Sequence, residues 1–179
     1  MPIFLEKKGE IFMAELTSLI VNGVDIEEQI SELNTNINYG NDFIKAVISS
    51  NYTIDTKNVY LTLPLVSGGI QGSTFECNSD GTITVTRNCT IVIVAQAYYA
   101  SGFSVGDWVC TSITIDGSHV SRGGAVINLT SPYQTVGSNY IGYVTAGTII
   151  SMRVLNENAA RGIIGSTSDA TFMRLGVLR

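Results

Sequence analysis

The residues best suited to chemistry in this chain are few, and their spacing is poor. Gly102-Phe103-Ser104-Val105-Gly106 matches the G-x-S-x-G pattern that presents a nucleophilic serine. That pattern works only on a strand-to-helix elbow, with an acidic residue and then a histidine well downstream. Here the following segment, Trp108 to Ile115, reads as β, and the single histidine, His119, lies close by in a hairpin. The motif therefore reads as a loop serine between two flexible glycines. The carboxylates Glu76, Asp80, Asp107, Asp116, Glu157 and Asp169 mostly sit beside Gly or Asn, where Asp serves turns. No D-x-D-x-D-G loop is present for calcium, and nothing pairs two carboxylates as a glycosidase needs. The chain thus reads as non-enzymatic, with no cofactor and no metal.

Cys77, Cys89 and Cys110 form an odd set without a C-x-x-C pair. They read as reduced, small hydrophobes. A Cys77–Cys89 hairpin bridge is the alternative. The aromatic residues Tyr98, Tyr99, Phe103 and Trp108 cluster around one predicted loop. They would either stack on sugar faces, as in a glycan-binding module, or pack internally with a polar tip in water.

Composition narrows the class further. The 179 residues are 45% hydrophobic and only 14% charged, with 18 glycines and a net charge of −5. There is enough apolar surface for a core, and no basic stripe to neutralise phosphates, so a nucleic-acid partner is not expected. No apolar run approaches the roughly 20 residues that span a bilayer, so no membrane partner is expected.

Five segments follow in order. Residues 1–12 read as a translated leader or a flexible arm. Codons for Lys7-Lys8-Gly9-Glu10 can spell a bacterial ribosome-binding site ahead of Met13, which would make Met13 the natural start. Residues 13–24 read as an anchoring arm, with Leu16, Leu19, Ile20 and Val21 as its apolar contacts and Asn22-Gly23 as a turn. Residues 25–49 read as a helical neck. Asp25 is a good N-cap with Glu28 as its capping-box partner. Ile26, Ile30, Leu33 and Ile37 follow at coiled-coil spacing, and isoleucine at both seam positions favours trimers. An amphipathic helix packed on its own chain is the other reading. Phe43, Ile44, Val47 and Ile48 would add one more helical turn or two.

Residues 50–72 read as a linker and first strand, with Val59, Leu61, Leu63 and Leu65 on one face, Pro64 at an edge or strand end, and Ser67-Gly68-Gly69 as a loop. Residues 73–179 read as a ladder of short strands. In it, Ile91 to Ala95 is apolar at every position and is expected to be covered on both faces. Asp116-Gly117 closes a hairpin whose return is interrupted at Gly123-Gly124, and Ala146-Gly147 makes a later turn. The class is mainly β, an antiparallel sandwich or jelly roll, on a short α-helical neck.

Gly81-Thr82-Ile83-Thr84-Val85, Ile91 to Ala97, Ser112 to Gly117, Val144 to Ile150 and Thr171 to Leu178 together resemble the C1q/TNF-like jelly roll. The match covers roughly the last hundred residues. It departs at Thr82, where the family has an aromatic, and at Thr148, where it has an acidic residue. The resemblance implies a homotrimer on a stalk, in agreement with the isoleucine seam. In bacteria and their viruses such heads cap spore-surface filaments and virion fibres. The implied role is a virion structural protein, of the head-fibre or capsid-decoration type. Its partners would be itself and a capsid or tail protein. The alternative is a tail-associated module that binds a host receptor or glycan. Either would be made in a bacterial cytoplasm and reside in the virion.

Overall fold

The computed structural model describes residues 42–128, 134–158, 162–166 and 170–178, together with the backbone of four short strands before them. The chain divides into two units, Met1–Asn38 and Tyr39–Arg179. In the first, β1 (Pro2–Lys7) pairs antiparallel with β2 (Glu10–Glu15), and β3 (Ile20–Val21) with β4 (Val24–Asp25). Val21 pairs with Val24 in that ladder, and Asn22-Gly23, read as a turn, lies outside the described residues. The β1–β2 pairing joins residues on both sides of Met13, so a chain starting there would lack β1. The seam residues Ile26, Ile30, Leu33 and Ile37, and the arm residues Leu16 and Leu19, lie outside the described residues.

The second unit is a sandwich of two antiparallel sheets. The first strand of the unit, β5 (Phe43–Ile48), corrects the reading of these residues as a helical turn. Ile44, Ala46 and Ile48 alternate inward, because the segment also has period two and fills a ladder position that supplies every backbone partner. After the short β6 (Tyr52–Thr53), the stretch read as one strand from Asn58 to Val66 is split. β7 (Leu61–Thr62) pairs in one sheet, and β8 (Leu65–Gln71) pairs with β5 in the other. The break falls at Leu63-Pro64, since Pro64 has no N–H to donate to a ladder. Ser67-Gly68-Gly69, expected to be a loop, lies within β8 at the sheet edge.

The remaining strands are β9 (Phe75–Cys77), β10 (Ile83–Val85), β11 (Cys89–Ser101), β12 (Trp108–Ile115), β13 (Ser118–Val126), β14 (Gln134–Val144), β15 (Ile149–Asn156), β16 (Ile163–Ile164) and β17 (Phe172–Leu178). One sheet has the order β13-β12-β15-β10-β9, with β7 also on β15. The other runs β6-β16-β11-β17-β5-β8, with β14 also on β11. Ile44, Ile91, Ile93, Phe75, Ile113, Ile150, Met152 and Leu175 fill the space between them.

Turn chemistry fits the backbone. Asp116 (φ 49°) and Gly117 (φ 80°) are both left-handed, the type I′ geometry that suits a two-residue hairpin between β12 and β13. Ala146-Gly147 instead lies between strands of different sheets. Strand β13 runs unbroken through Gly123 and Gly124, contrary to expectation, and bulges opposite Ile113 and Thr114. Both glycines are needed for close approach. A Cβ on Gly123 would strike the Gly137 carbonyl, and one on Gly124 would strike the Trp108 ring.

The entry to this unit is tied by Asp42. Its buried carboxylate accepts from the backbone N–H groups of Ser73 (3.2 Å) and Thr74 (3.1 Å), from the Thr74 hydroxyl, and from Arg87 (3.2 Å). Sequence reasoning passed over Asp42, because its partners lie at least 31 residues away along the chain.

Candidate functional site

Ser104 does not sit on a nucleophile elbow. Its loop runs from β11 into β12, a strand, and its N–H is held by the Asp107 carboxylate at 2.8 Å. A different serine meets the histidine: Ser112 Oγ lies 2.6 Å from His119 Nδ1. The protons run the wrong way for a nucleophile. Ser112 donates its hydroxyl proton to the Ser121 carbonyl at 2.9 Å, so His119 must donate from Nδ1 to Ser112. Ser112 is also fully buried. The pair ties β12 to β13.

The cysteines are all free; Cys77 and Cys89 are half-buried and Cys110 is buried. Burial pushes all three thiols up, away from the reactive thiolate form.

The four aromatics named for glycan contact or packing differ in burial, with Tyr98, Phe103 and Trp108 half-buried. Tyr99 is fully buried, so it offers no ring face to a glycan in this chain. Its hydroxyl donates to the Cys110 carbonyl at 2.6 Å, and burial moves its ionisation far above the ordinary range. Phe103 packs edge-on against Tyr99, with centroids 5.3 Å apart. Tyr98 lies over Gly165, and Trp108 over Gly124; neither glycine has room there for a Cβ. Tyr98, Tyr99, Phe103 and Trp108 each pack against other parts of the same unit.

The exposed apolar groups gather elsewhere. Strand β11 is not covered on both faces: Ile91, Ile93 and Ala95 enter the core, while Val92 and Val94 face outward. Registers extend this outer face across the sheet. Ile141, Val92, Gly176 and Phe43 stand opposite one another in a row over β14, β11, β17 and β5. A neighbouring row holds Tyr143, Thr90 and Leu178, and another holds Asn139, Val94, Arg174 and Lys45. Ile141 is 66% exposed, Tyr143 64%, Val94 46% and Phe43 44%. Gly176 supplies no side chain to its row, so a groove of about 420 Å³ opens between Val92 and Phe43. Arg174 and Lys45 border it. Scattered exposed apolar residues are ordinary, but a contiguous apolar face on one sheet marks a contact surface. Sequence reasoning missed it because Phe43 was assigned to the neck and the run Ile91 to Ala95 shows no alternation in residue type.

Comparison with solved structures shows a TNF-like jelly roll. Murine APRIL superposes with a TM-score of 0.61 at 13% identity, over 76% of this chain and 98% of that one. Eiger TNF from S. frugiperda gives 0.58 at 12% identity, over 76% and 92%. No protein-family model matches the sequence. No curated protein matches it either.

Proposed function

We propose that this chain is a homotrimeric virion structural protein, of the head-fibre or capsid-decoration type. Its N-terminal region anchors it, and its β sandwich is the displayed head. The observation that carries the trimer is the outward apolar face around Val92, Val94, Phe43, Ile141, Tyr143 and Leu178. Water around such a face is released when copies pack together. A ring of three buries the face in every copy and leaves no open end for fibre growth. The likeness to TNF-like folds supports the same reading, as does the spacing of Ile26, Ile30, Leu33 and Ile37.

The virion assignment rests on the sequence. The ribosome-binding-site spelling of Lys7 to Glu10 ahead of Met13 supports a bacterial or phage gene. The pairing of a short apolar arm with a jelly-roll head supports an anchored appendage, with Leu16, Leu19, Ile20 and Val21 as the anchor. Quantitative mass spectrometry of purified particles tests it. The expected result is a copy number divisible by three per attachment point, lost when Leu19 and Ile20 are both replaced by Asp. Particles that contain none of the chain would refute the assignment.

A further inference from the structure

The sheet opposite the apolar face carries a second feature. On β12, Val109 and Ile113 point into the core, so Cys110, Ser112 and Thr114 stand on the other face. Registers place Arg122, Ser112, Arg153 and Thr62 directly opposite one another over β13, β12, β15 and β7. Two arginines thus flank one serine in a single cross-strand row. Their Cα atoms are about 10 Å apart, two strand spacings, with the buried Ser112 between them. His119, opposite Thr114, leans onto Ser112 from the next row. Tyr60 walls the cluster. Its ring lies 4.3 Å from His119, Arg122 sits over it at 5.4 Å, and its hydroxyl donates to Cys110 Sγ at 3.4 Å.

Among the described residues, neither Arg122 nor Arg153 has a carboxylate partner. The Arg153 Nε is buried without any hydrogen-bond acceptor. A buried guanidinium N–H left unpaired carries a sizeable desolvation cost, which an ordered water or a bound anion offsets by supplying the acceptor. The chain as a whole is acidic, which makes two unpaired arginines in one row more telling. Both arginines also act on the histidine. Burial first, then the charges of Arg122 and of Arg153, hold His119 below its ordinary value.

We propose that Arg122, Arg153 and His119, set around Ser112 and walled by Tyr60, form a binding site for a sulfate or phosphate group. Donors converge from β13, from β15 and from the histidine, which suits an oxyanion with acceptors in several directions. With Nδ1–H donated to Ser112, a neutral His119 offers no proton from Nε2. Protonation adds a third donor, so the anion and the proton bind together. The groups facing the imidazole are Tyr60, Arg122 and Arg153; the anion offsets the two positive charges that otherwise oppose its protonation. This site is independent of the trimer reading and of the virion assignment.

His119 is the only histidine, so its ring protons give one resolved NMR titration. The full chain is titrated from about pH 5 to 8 in sodium sulfate and in sodium chloride at equal ionic strength. Sulfate is expected to raise the midpoint saturably at millimolar concentration, with binding several-fold tighter at pH 5.5 than at 7.5. R122Q, at an exposed position, should keep the fold by circular dichroism and weaken sulfate about tenfold. R153K should keep part of the effect. Glucose 6-sulfate is the second probe. A shift with both probes means that the site accepts an ester on a larger molecule; a shift with sulfate alone restricts it to the free ion. Identical midpoints in sulfate and chloride would overturn the site, and so would a sulfate effect undiminished in R122Q.

Discussion

Replacing Ile141 by Asp separates assembly from folding. In the single chain Ile141 is 66% exposed, and its neighbour across the ladder is the outward Val92. Burying an isoleucine side chain fully contributes about 1.5–3 kcal/mol, so the exposed two-thirds leaves about 1–2 kcal/mol for an interface. A closed trimer repeats the contact three times, giving about 3–6 kcal/mol per assembly. The lower figure is already about two decades in the association constant. A buried, unpaired carboxylate adds a penalty of several kcal/mol per copy. The fold of one chain loses little, since the position is exposed and the change is within about 1 kcal/mol for a strand residue. Light scattering coupled to size exclusion should therefore report three chains for the wild type at about 10 μM and one for I141D. The far-ultraviolet circular dichroism should stay unchanged. V105D is the control: Val105 is 60% exposed but lies on the loop between β11 and β12, away from the apolar face. It should remain trimeric. A monomeric wild type, or an I141D trimer as stable as wild type, would refute the argument.

Three further outcomes concern stability. D42A removes the carboxylate that accepts from one Arg87 Nη and from the backbone donors of Ser73 and Thr74. It should cost about 3 kcal/mol, read as a shift in the urea midpoint at constant slope; an unshifted midpoint would remove Asp42 from the tie. Y99F deletes the buried hydroxyl that donates to Cys110 and should cost about 1 kcal/mol, a drop of a few degrees in melting temperature. An unchanged melt would show that the bond adds nothing. The third concerns pH. His119 is held below its ordinary value of 6.5 in the fold, first by burial and then by Arg122 and Arg153. The unfolded chain then binds more protons between the depressed value and 6.5, so stability rises with pH across that window. The contribution is fully present above about pH 6.5 and is lost as pH falls toward the folded value. H119Q should flatten the melting temperature between pH 5 and 7 relative to wild type. Parallel curves would exclude His119 as the source.

Residue type and spacing alone determined the β class and the Asp116-Gly117 hairpin, because these depend on alternation and on residues that tolerate left-handed backbone. They also led to the jelly-roll resemblance, now matched by a TNF-like fold. Tertiary structure decided the rest. Phe43–Ile48 has a pattern compatible with either a helical turn or a strand, and the open ladder position beside β17 chose the strand. Leu63-Pro64 became a passage between sheets because Leu61–Thr62 pairs with β15 and Leu65–Gln71 with β5, with Pro64, which has no N–H, at the break. The run Ile91 to Ala95 is apolar throughout, so its composition could not say which residues face the core; pairing with β14 and β17 turned Val92 and Val94 outward. The convergence of Tyr60, Ser112, His119, Arg122 and Arg153 was invisible for a related cause. These residues are distant or unremarkable in the chain, and only strand register sets them side by side. A motif records neighbours along the backbone, whereas in a sandwich the groups that act together are neighbours across it.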